Sequence, residues 1–118
     1  PVVNGHTAAA FVKMRKPASK DELIAALENF RGKPQELGLP SAPKQFIHYM
    51  REDDRPQVRL DVESENGMAV SVGRLREDGI GLYDWKFVGL SHNTKRGAAG
   101  GAVECAELLK ALGYIEKK

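Results

Sequence analysis

The feature that most constrains the fold is a segment near the carboxyl end that is apolar on both sides of a predicted strand. In residues 80–90 (IGLYDWKFVGL), one set of alternating side chains is Ile80, Leu82, Val88 and Leu90, and the other is Tyr83, Trp85 and Phe87. A strand with two apolar faces must be covered on both of them. Two helices can cover one face, and the other is predicted to meet a partner sheet or a second subunit.

Two helices are predicted, one in each half of the chain. Ser19 and Glu22 form a capping-box pattern, apolar residues follow at helical spacing, and Gly32 ends the run. The second helix spans residues 97–112, and Gly113 is its predicted stop. Its apolar stripe is predicted to lie on the sheet and consists of Ala99, Ala102, Val103, Ala106 and Leu109.

Strands are predicted over residues 6–15, 46–50, 58–62, 68–75 and 80–90. The residues between the first helix and the second strand, 33–45, contain three prolines and are predicted to form an extended loop. Asn66-Gly67 is a strong hairpin signal between the third and fourth strands. This order predicts an α+β domain: a mixed, mostly antiparallel sheet with two main helices packed on one face.

Composition limits the kind of function. The 118-residue, 13.0 kDa chain is 42% hydrophobic and 29% charged, which is typical of a globular domain. A net charge of +2 argues against a nucleic-acid binder, and no apolar run reaches the ~18 residues of a membrane span. The only cysteine, Cys105, excludes an internal disulfide, and residues 1–30 show no signal peptide. We therefore expect a cytoplasmic protein.

Residues 91–101 (SHNTKRGAAGG) join a predicted strand to a helix and form the most informative segment. Free N–H groups at a helix start suit nucleotide phosphates or amides, and Lys95 and Arg96 there suggest an anionic partner. Alternatively, Asn93 or Thr94 caps the helix, the basic pair is solvated and the glycines permit close packing. Neither standard nucleotide-binding fingerprint is present.

Three further features carry possible chemistry. His6 follows Gly5 at a predicted strand end, so its imidazole can move protons or simply bond to backbone. Cys105 lies between carboxylates that oppose thiolate formation, which favours an inert, structural cysteine. Arg74 and Arg76 could clamp a carboxylate, or form salt bridges within or between subunits.

Four segments in the same order resemble the aspartate-semialdehyde dehydrogenase family, in particular its fungal and archaeal members. They are GHT at 5–7, PQELGLPSAPKQFI at 34–47, VGRLRED at 72–78 and KFVGLSHNTKRGAAGGAV at 86–103. The resemblance implies that residues 1–118 are the C-terminal part of a catalytic and dimerisation domain, without the N-terminal dinucleotide-binding domain. The start at Pro1 fits either a fragment or removal of an initiator Met, and the resemblance favours the fragment.

The family's chemistry then implies roles for two residues. The family reduces L-aspartyl 4-phosphate to L-aspartate 4-semialdehyde with NADPH through a cysteine thioester, a step toward lysine, threonine and methionine. His6 matches the acid/base histidine, and Asn93 matches the residue at the nicotinamide end of the cofactor. The nucleophilic cysteine and substrate-binding arginine of the family lie upstream, so this chain alone is expected to be inactive.

The resemblance also implies partners, and alternatives remain open beside it. We expect a homo-oligomer, a dimer or a tetramer, that pairs through the sheet, a small-molecule substrate, NADP held mainly by the missing domain, and no metal. The alternatives are a non-enzymatic oligomerisation module and a related N-acyl-glutamyl-phosphate reductase.

Overall fold

The computed structural model describes residues 2–116, which fold around one four-stranded sheet. The strands are β1 (His6–Val12), β2 (Ile47–Met50), β3 (Val70–Glu77) and β4 (Trp85–Ser91), in the spatial order β1-β4-β3-β2. β4 pairs antiparallel with both β1 and β3, whereas β2 runs parallel to β3. The prediction of a mixed, mostly antiparallel α+β domain is confirmed.

One face of the sheet, the α1 face, carries the main core. Helix α1 (Lys20–Glu28) begins with the predicted capping box between Ser19 and Glu22, both halves of which are present. Its Ile24 is buried against Leu75 of β3 and Trp85 of β4. Helix α1 therefore packs on the end of β3 and the start of β4, which lie at the opposite end of the sheet from His6.

The opposite face is covered by a short helix where the sequence predicts a strand. Residues 58–62 contain helix α3 (Val58–Asp61), so the strand prediction for this segment is wrong. Val58, Val62 and Leu90 of β4 all lie within 3.2 Å of the position that a Cβ on Gly5 would take. Apolar packing here therefore comes from a helix turn, and alternating apolar residues in so short a segment do not separate the two structures.

The Asn66-Gly67 hairpin prediction is also wrong. Glu65 and Asn66 have φ angles of 50° and 58° inside a tight 3₁₀ turn, Ser64–Gly67, that links α3 to β3. The left-handed backbone that a type I′ hairpin turn requires is present at these two residues, but here it connects a helix to a strand and does not join two strands.

The segment 80–90 is a strand only from Trp85 onward. Residues 80–84 form the loop before β4, and Ile80 and Leu82 are 77% and 71% exposed. The prediction of one long strand is therefore wrong at its first half, and the apolar side chains there face solvent in this chain.

The carboxyl-terminal helix α4 (Gly100–Ala111) is preceded by a π-helical turn, Lys95–Ala99. It contacts this turn and helix α2 (Lys33–Glu36), a short helix within the predicted extended loop. Its buried residue is Glu104, whereas the stripe predicted to lie on the sheet is exposed: Ala99, Ala102, Val103, Ala106 and Leu109. The stripe prediction is wrong because the polar side of the helix makes the contacts. Within residues 2–116, no helix is long and apolar enough to cross a membrane.

Candidate functional site at the start of β1

His6 is the first residue of the edge strand β1 and lies opposite Ser91, the last residue of β4. It is exposed, and its imidazole makes no hydrogen bond to any residue that the structure describes. An imidazole that is free at both nitrogens can take up or release a proton at a bound molecule.

Asn93 is tied to Gly5, the residue directly before His6. Its side-chain Oδ1 accepts a hydrogen bond from the backbone N–H of Gly5, with 2.7 Å between the two atoms. The structure therefore brings His6 and Asn93 to one corner of the sheet, although they are 87 positions apart in the sequence. The amide Nδ2 of Asn93 has no hydrogen-bond acceptor among residues 2–116 and is available to a ligand.

Gly5 makes this corner possible for two reasons. Its φ is +100°, a conformation that side chains other than glycine rarely adopt. A Cβ at this position would also lie 3.0 Å from Val58 and 3.2 Å from Leu90. The glycine before His6 is therefore required by the backbone as well as by the space available.

The turn after β4 is held by a buried histidine. His92 is 3% exposed, and its Nδ1 accepts the backbone N–H groups of Thr94 at 3.1 Å and Lys95 at 3.2 Å. The N–H of Gly97 donates to the carbonyl oxygen of His92 at 2.9 Å. The predicted cap by Asn93 or Thr94 is absent, because the Asn93 oxygen is bound to Gly5 and the imidazole takes the N–H groups.

Lys95 and Arg96 find their anionic partners within the chain. Lys95 pairs with Glu63, and Arg96 pairs with the buried Glu104 and lies 4.6 Å from the centre of the Phe46 ring. The hydrogen bond from Lys95 is the main cause that lowers the pKa of Glu63. The charges of Lys95 and Arg96 are thus balanced within the chain, and no external anion is needed to balance them.

The glycines of this segment do permit close packing, as one alternative predicted. A Cβ on Gly100 would lie 2.5 Å from the sulfur of Met68, and one on Gly101 would lie 2.5 Å from the carbonyl oxygen of Arg96. Larger residues at these two positions would displace the start of α4 from Met68 and distort the π-helical turn before it.

The remaining candidates lie apart from this corner. Cys105 is a free cysteine exposed on α4, and its inert character stays a prediction. Arg74 and Arg76 are both exposed, and their only mutual contact is a 2.7 Å hydrogen bond from Arg76 to the carbonyl oxygen of Arg74. Neither pairs with a carboxylate among residues 2–116, and no cluster there could hold a metal ion.

Sequence reasoning missed His92 as a structural centre of the corner. The sequence places it only in a loop, and nothing in its spacing indicates burial. A usable signal is its position directly before Asn93 in a segment rich in backbone N–H groups that need acceptors.

The fold and this corner define an α+β domain that presents one imidazole and one carboxamide at the start of an edge strand. The sequence model of the family described as "Semialdehyde dehydrogenase, dimerisation domain" matches residues 1–96. The chain belongs to this family, which confirms the resemblance found in the sequence.

Relatives with known names support the same assignment. An aspartate-semialdehyde dehydrogenase of Trichophyton rubrum is 45% identical over 98% of this chain, which covers 32% of that protein. The crystal structure of aspartate semialdehyde dehydrogenase with NADP from Candida albicans matches 98% of this chain and 32% of its own, with a TM-score of 0.84 and 44% identity. A malonyl CoA reductase (NADP) of Metallosphaera sedula is 42% identical over 98% of this chain, and this chain covers 32% of that protein. The chain thus spans about a third of the length of these relatives.

Proposed function

We propose that this chain is the C-terminal catalytic and dimerisation part of an NADP-dependent aspartate-semialdehyde dehydrogenase. The reaction would convert L-aspartyl 4-phosphate to L-aspartate 4-semialdehyde. The observation that carries the proposal is the hydrogen bond from the Gly5 N–H to Asn93 Oδ1, because it brings together the two residues to which the resemblance gives roles.

His6 is the proposed acid/base. The nucleophile is a cysteine outside this chain, whose thiol is only a few per cent ionised near neutral pH and needs a base. His6 takes the thiol proton as the sulfur attacks the acyl phosphate, and phosphate leaves as the thioester forms. Its exposure and its lack of a hydrogen-bond partner within residues 2–116 suit this work, since neither nitrogen is already engaged.

Asn93 is the proposed contact to the cofactor. Its free Nδ2 is a neutral donor that matches the carbonyl oxygen of a nicotinamide carboxamide, while the bond to Gly5 fixes the orientation of the side chain. NADPH, when bound, supplies the hydride that reduces the thioester. The rest of the cofactor would be held by the part of the relatives that this chain does not cover.

A second candidate function has an observation in its favour. The Metallosphaera sedula relative is a malonyl CoA reductase, and it is nearly as similar to this chain as the aspartate-semialdehyde dehydrogenases are. A coenzyme A thioester offers the same attack by a thiol, with a thiolate as the leaving group instead of phosphate. The two substrates would share the roles of His6 and Asn93.

The test uses the whole enzyme that contains this chain, assayed with NADPH and L-aspartyl 4-phosphate or malonyl-CoA, and in reverse with L-aspartate 4-semialdehyde and phosphate. We expect the aspartyl substrate to be preferred and His6→Ala to lower kcat by about 10²- to 10⁴-fold. His48→Ala, which removes a histidine from β2, is the matched control and should keep kcat near the wild-type value. Unchanged turnover in His6→Ala would make His6 structural, and a preference for malonyl-CoA would select the second candidate.

A second copy of the chain is the proposed partner. Four apolar side chains of the 80–84 loop and β1 are exposed, and this set is called the apolar corner: Phe11, Ile80, Leu82 and Tyr83. The rings of Phe11 and Tyr83 are in contact, with 5.7 Å between their centres. An exposed apolar cluster beside an edge strand suits pairing of subunits, as does the description of the family as a dimerisation domain.

A further inference from the structure

We propose that His92 is a positioning residue that holds Asn93 in place and, through Gly5, fixes the start of the strand that carries His6. The roles of Asn93 and His6 rest on the proposed function, whereas the positioning itself rests on contacts within this chain. His92 has no place in the chemistry proposed above, yet it is the most buried of the three histidines at 3% exposure.

The hydrogen bonds of His92 indicate which of its ring nitrogens carries the proton. Its Nδ1 accepts two backbone N–H groups, from Thr94 and Lys95, and therefore has no room for a proton of its own. The proton of the neutral ring is on Nε2, which faces Glu63 Oε1 at 3.4 Å. The imidazole thus links the turn after β4 to the segment that follows α3.

The far side of the ring is closed by neighbouring groups. Glu63 is held by its ion pair with Lys95, which belongs to the same turn as His92. Gly67, buried with a φ of +79°, has no space for a Cβ, which would lie 3.0 Å from His92 Cδ2 and 2.7 Å from Lys95 Cδ. The ring is therefore fixed by two hydrogen bonds at Nδ1 and by packing.

The position of the His92 ring affects the proposed site in two steps, first through the covalent link to Asn93 and then through the hydrogen bond between Asn93 and Gly5. Asn93 directly follows His92, so the turn geometry that the imidazole imposes sets where the Asn93 side chain projects. Asn93 Oδ1 then holds the Gly5 N–H, one residue before His6. If Nδ1 were lost, the N–H groups of Thr94 and Lys95 would lose their acceptor within the chain, and the turn would no longer be held toward Gly5.

Two substitutions separate positioning from bulk packing. His92→Leu keeps similar volume but removes the acceptor, while His92→Asn keeps an acceptor oxygen near the place of Nδ1. His48→Leu is the matched control, since His48 is half-buried on β2 and its Nε2 makes no hydrogen bond to a described residue. Amide hydrogen exchange is measured by NMR on the 118-residue chain, with the Val72 amide of β3 as the reference for global stability.

We expect His92→Leu to speed exchange at Gly5 and Lys95 by at least about fivefold relative to Val72, the effect of losing one hydrogen bond. His92→Asn should restore most of this protection, and His48→Leu should leave the ratio unchanged. In the wild type, nitrogen-15 NMR at neutral pH should show the proton on Nε2. Equal acceleration at Gly5 and Val72, no rescue by His92→Asn, or a proton on Nδ1 would each overturn the proposal.

The whole enzyme adds a readout that depends on the proposed function. There, His92→Leu should lower kcat or raise the KM for NADPH, and His92→Asn should recover both. If the exchange results hold while the enzyme does not reduce L-aspartyl 4-phosphate, the proposed function fails and the positioning stands. If activity is as proposed but Gly5 exchange is unaffected, the positioning fails alone.

Discussion

Arg55 and Asp61 form a two-point ion pair that fastens the loop before α3 to the helix itself. Arg55 Nε donates to Asp61 Oδ2 at 2.8 Å, and Arg55 Nη2 pairs with Oδ1. The backbone N–H of Gln57 also donates to Oδ2, at 2.7 Å. Asp61 is 3% exposed, so its carboxylate is one of the few charges inside the domain. Because Val58 of this helix packs on Gly5, the pair supports the corner that carries His6.

The first prediction removes the charge of this pair. Asp61→Asn should lower the free energy of unfolding by about 2–3 kcal/mol, because the guanidinium of Arg55 loses its only buried carboxylate partner. Urea unfolding followed by circular dichroism measures the change. Asp53→Asn, which alters an exposed aspartate in the preceding turn, should stay within about 0.5 kcal/mol of the wild type. Equal effects of the two substitutions would contradict this role for the pair.

The second prediction concerns acid pH. The hydrogen bond from Arg55 is the main cause that lowers the pKa of Asp61 in the folded chain. The unfolded chain therefore binds this proton more readily, and the stabilisation is complete above the usual aspartate pKa of about 4 and is lost as the pH falls through the lowered value. Urea unfolding at a series of pH values should show the difference between wild type and Asp61→Asn shrinking toward acid pH. A difference that grows toward acid pH would contradict the assignment.

The third prediction tests how closely the same loop lies on the sheet. A Cβ on Gly73 of β3 would lie 2.5 Å from the carbonyl oxygen of Arg55, so Gly73→Ala must displace the loop and should cost about 1–3 kcal/mol. Gly89 of β4 has no atom within 4 Å of its Cβ position, so Gly89→Ala is the matched control and should be neutral or slightly stabilising. Thermal unfolding of both variants measures the contrast. Similar melting temperatures would show that the loop moves freely.

Sequence patterns predicted the elements whose signals are local. The Ser19–Glu22 capping box and the start of the first strand at His6 depend on neighbouring residues, and both are present. The segment 58–62 was misassigned because its alternating apolar residues suit a short helix turn as well as a strand. The helical structure of this segment is selected by contacts with residues that are distant in the sequence, in particular Gly5. No local pattern contains these contacts.

Helix α4 illustrates a different limit. Apolar periodicity predicts that its Val103 side faces the sheet, yet Val103 is 52% exposed and Glu104 is buried. The buried side is selected by specific pairs, Glu104 with Arg96 and Glu107 with the backbone N–H and hydroxyl of Ser41. Both pairs are polar, and the second joins residues 66 positions apart, so hydrophobic spacing cannot reveal them.

The candidate site was predictable in part. The roles of His6 and Asn93 came from resemblance, and the sequence alone gave no reason to place them together. Their link depends on Gly5, whose positive φ lets the backbone N–H reach Asn93, and on the buried ring of His92. The spacing of residues in the sequence predicts neither the positive φ of Gly5 nor the burial of His92 in a turn.

The fourth prediction concerns self-association through the apolar corner. Leu82 is 71% exposed in the single chain, so a dimer that buries it should be weakened by Leu82→Asp, because an unpaired carboxylate would be desolvated. Size-exclusion chromatography with light scattering should give about twice the 13.0 kDa chain mass for the wild type and a shift toward 13.0 kDa for Leu82→Asp. Val103→Asp, at a half-exposed apolar position on α4, is the control and should leave the mass unchanged. A wild type that stays monomeric at high concentration, or a dimer lost only in Val103→Asp, would place the pairing surface elsewhere.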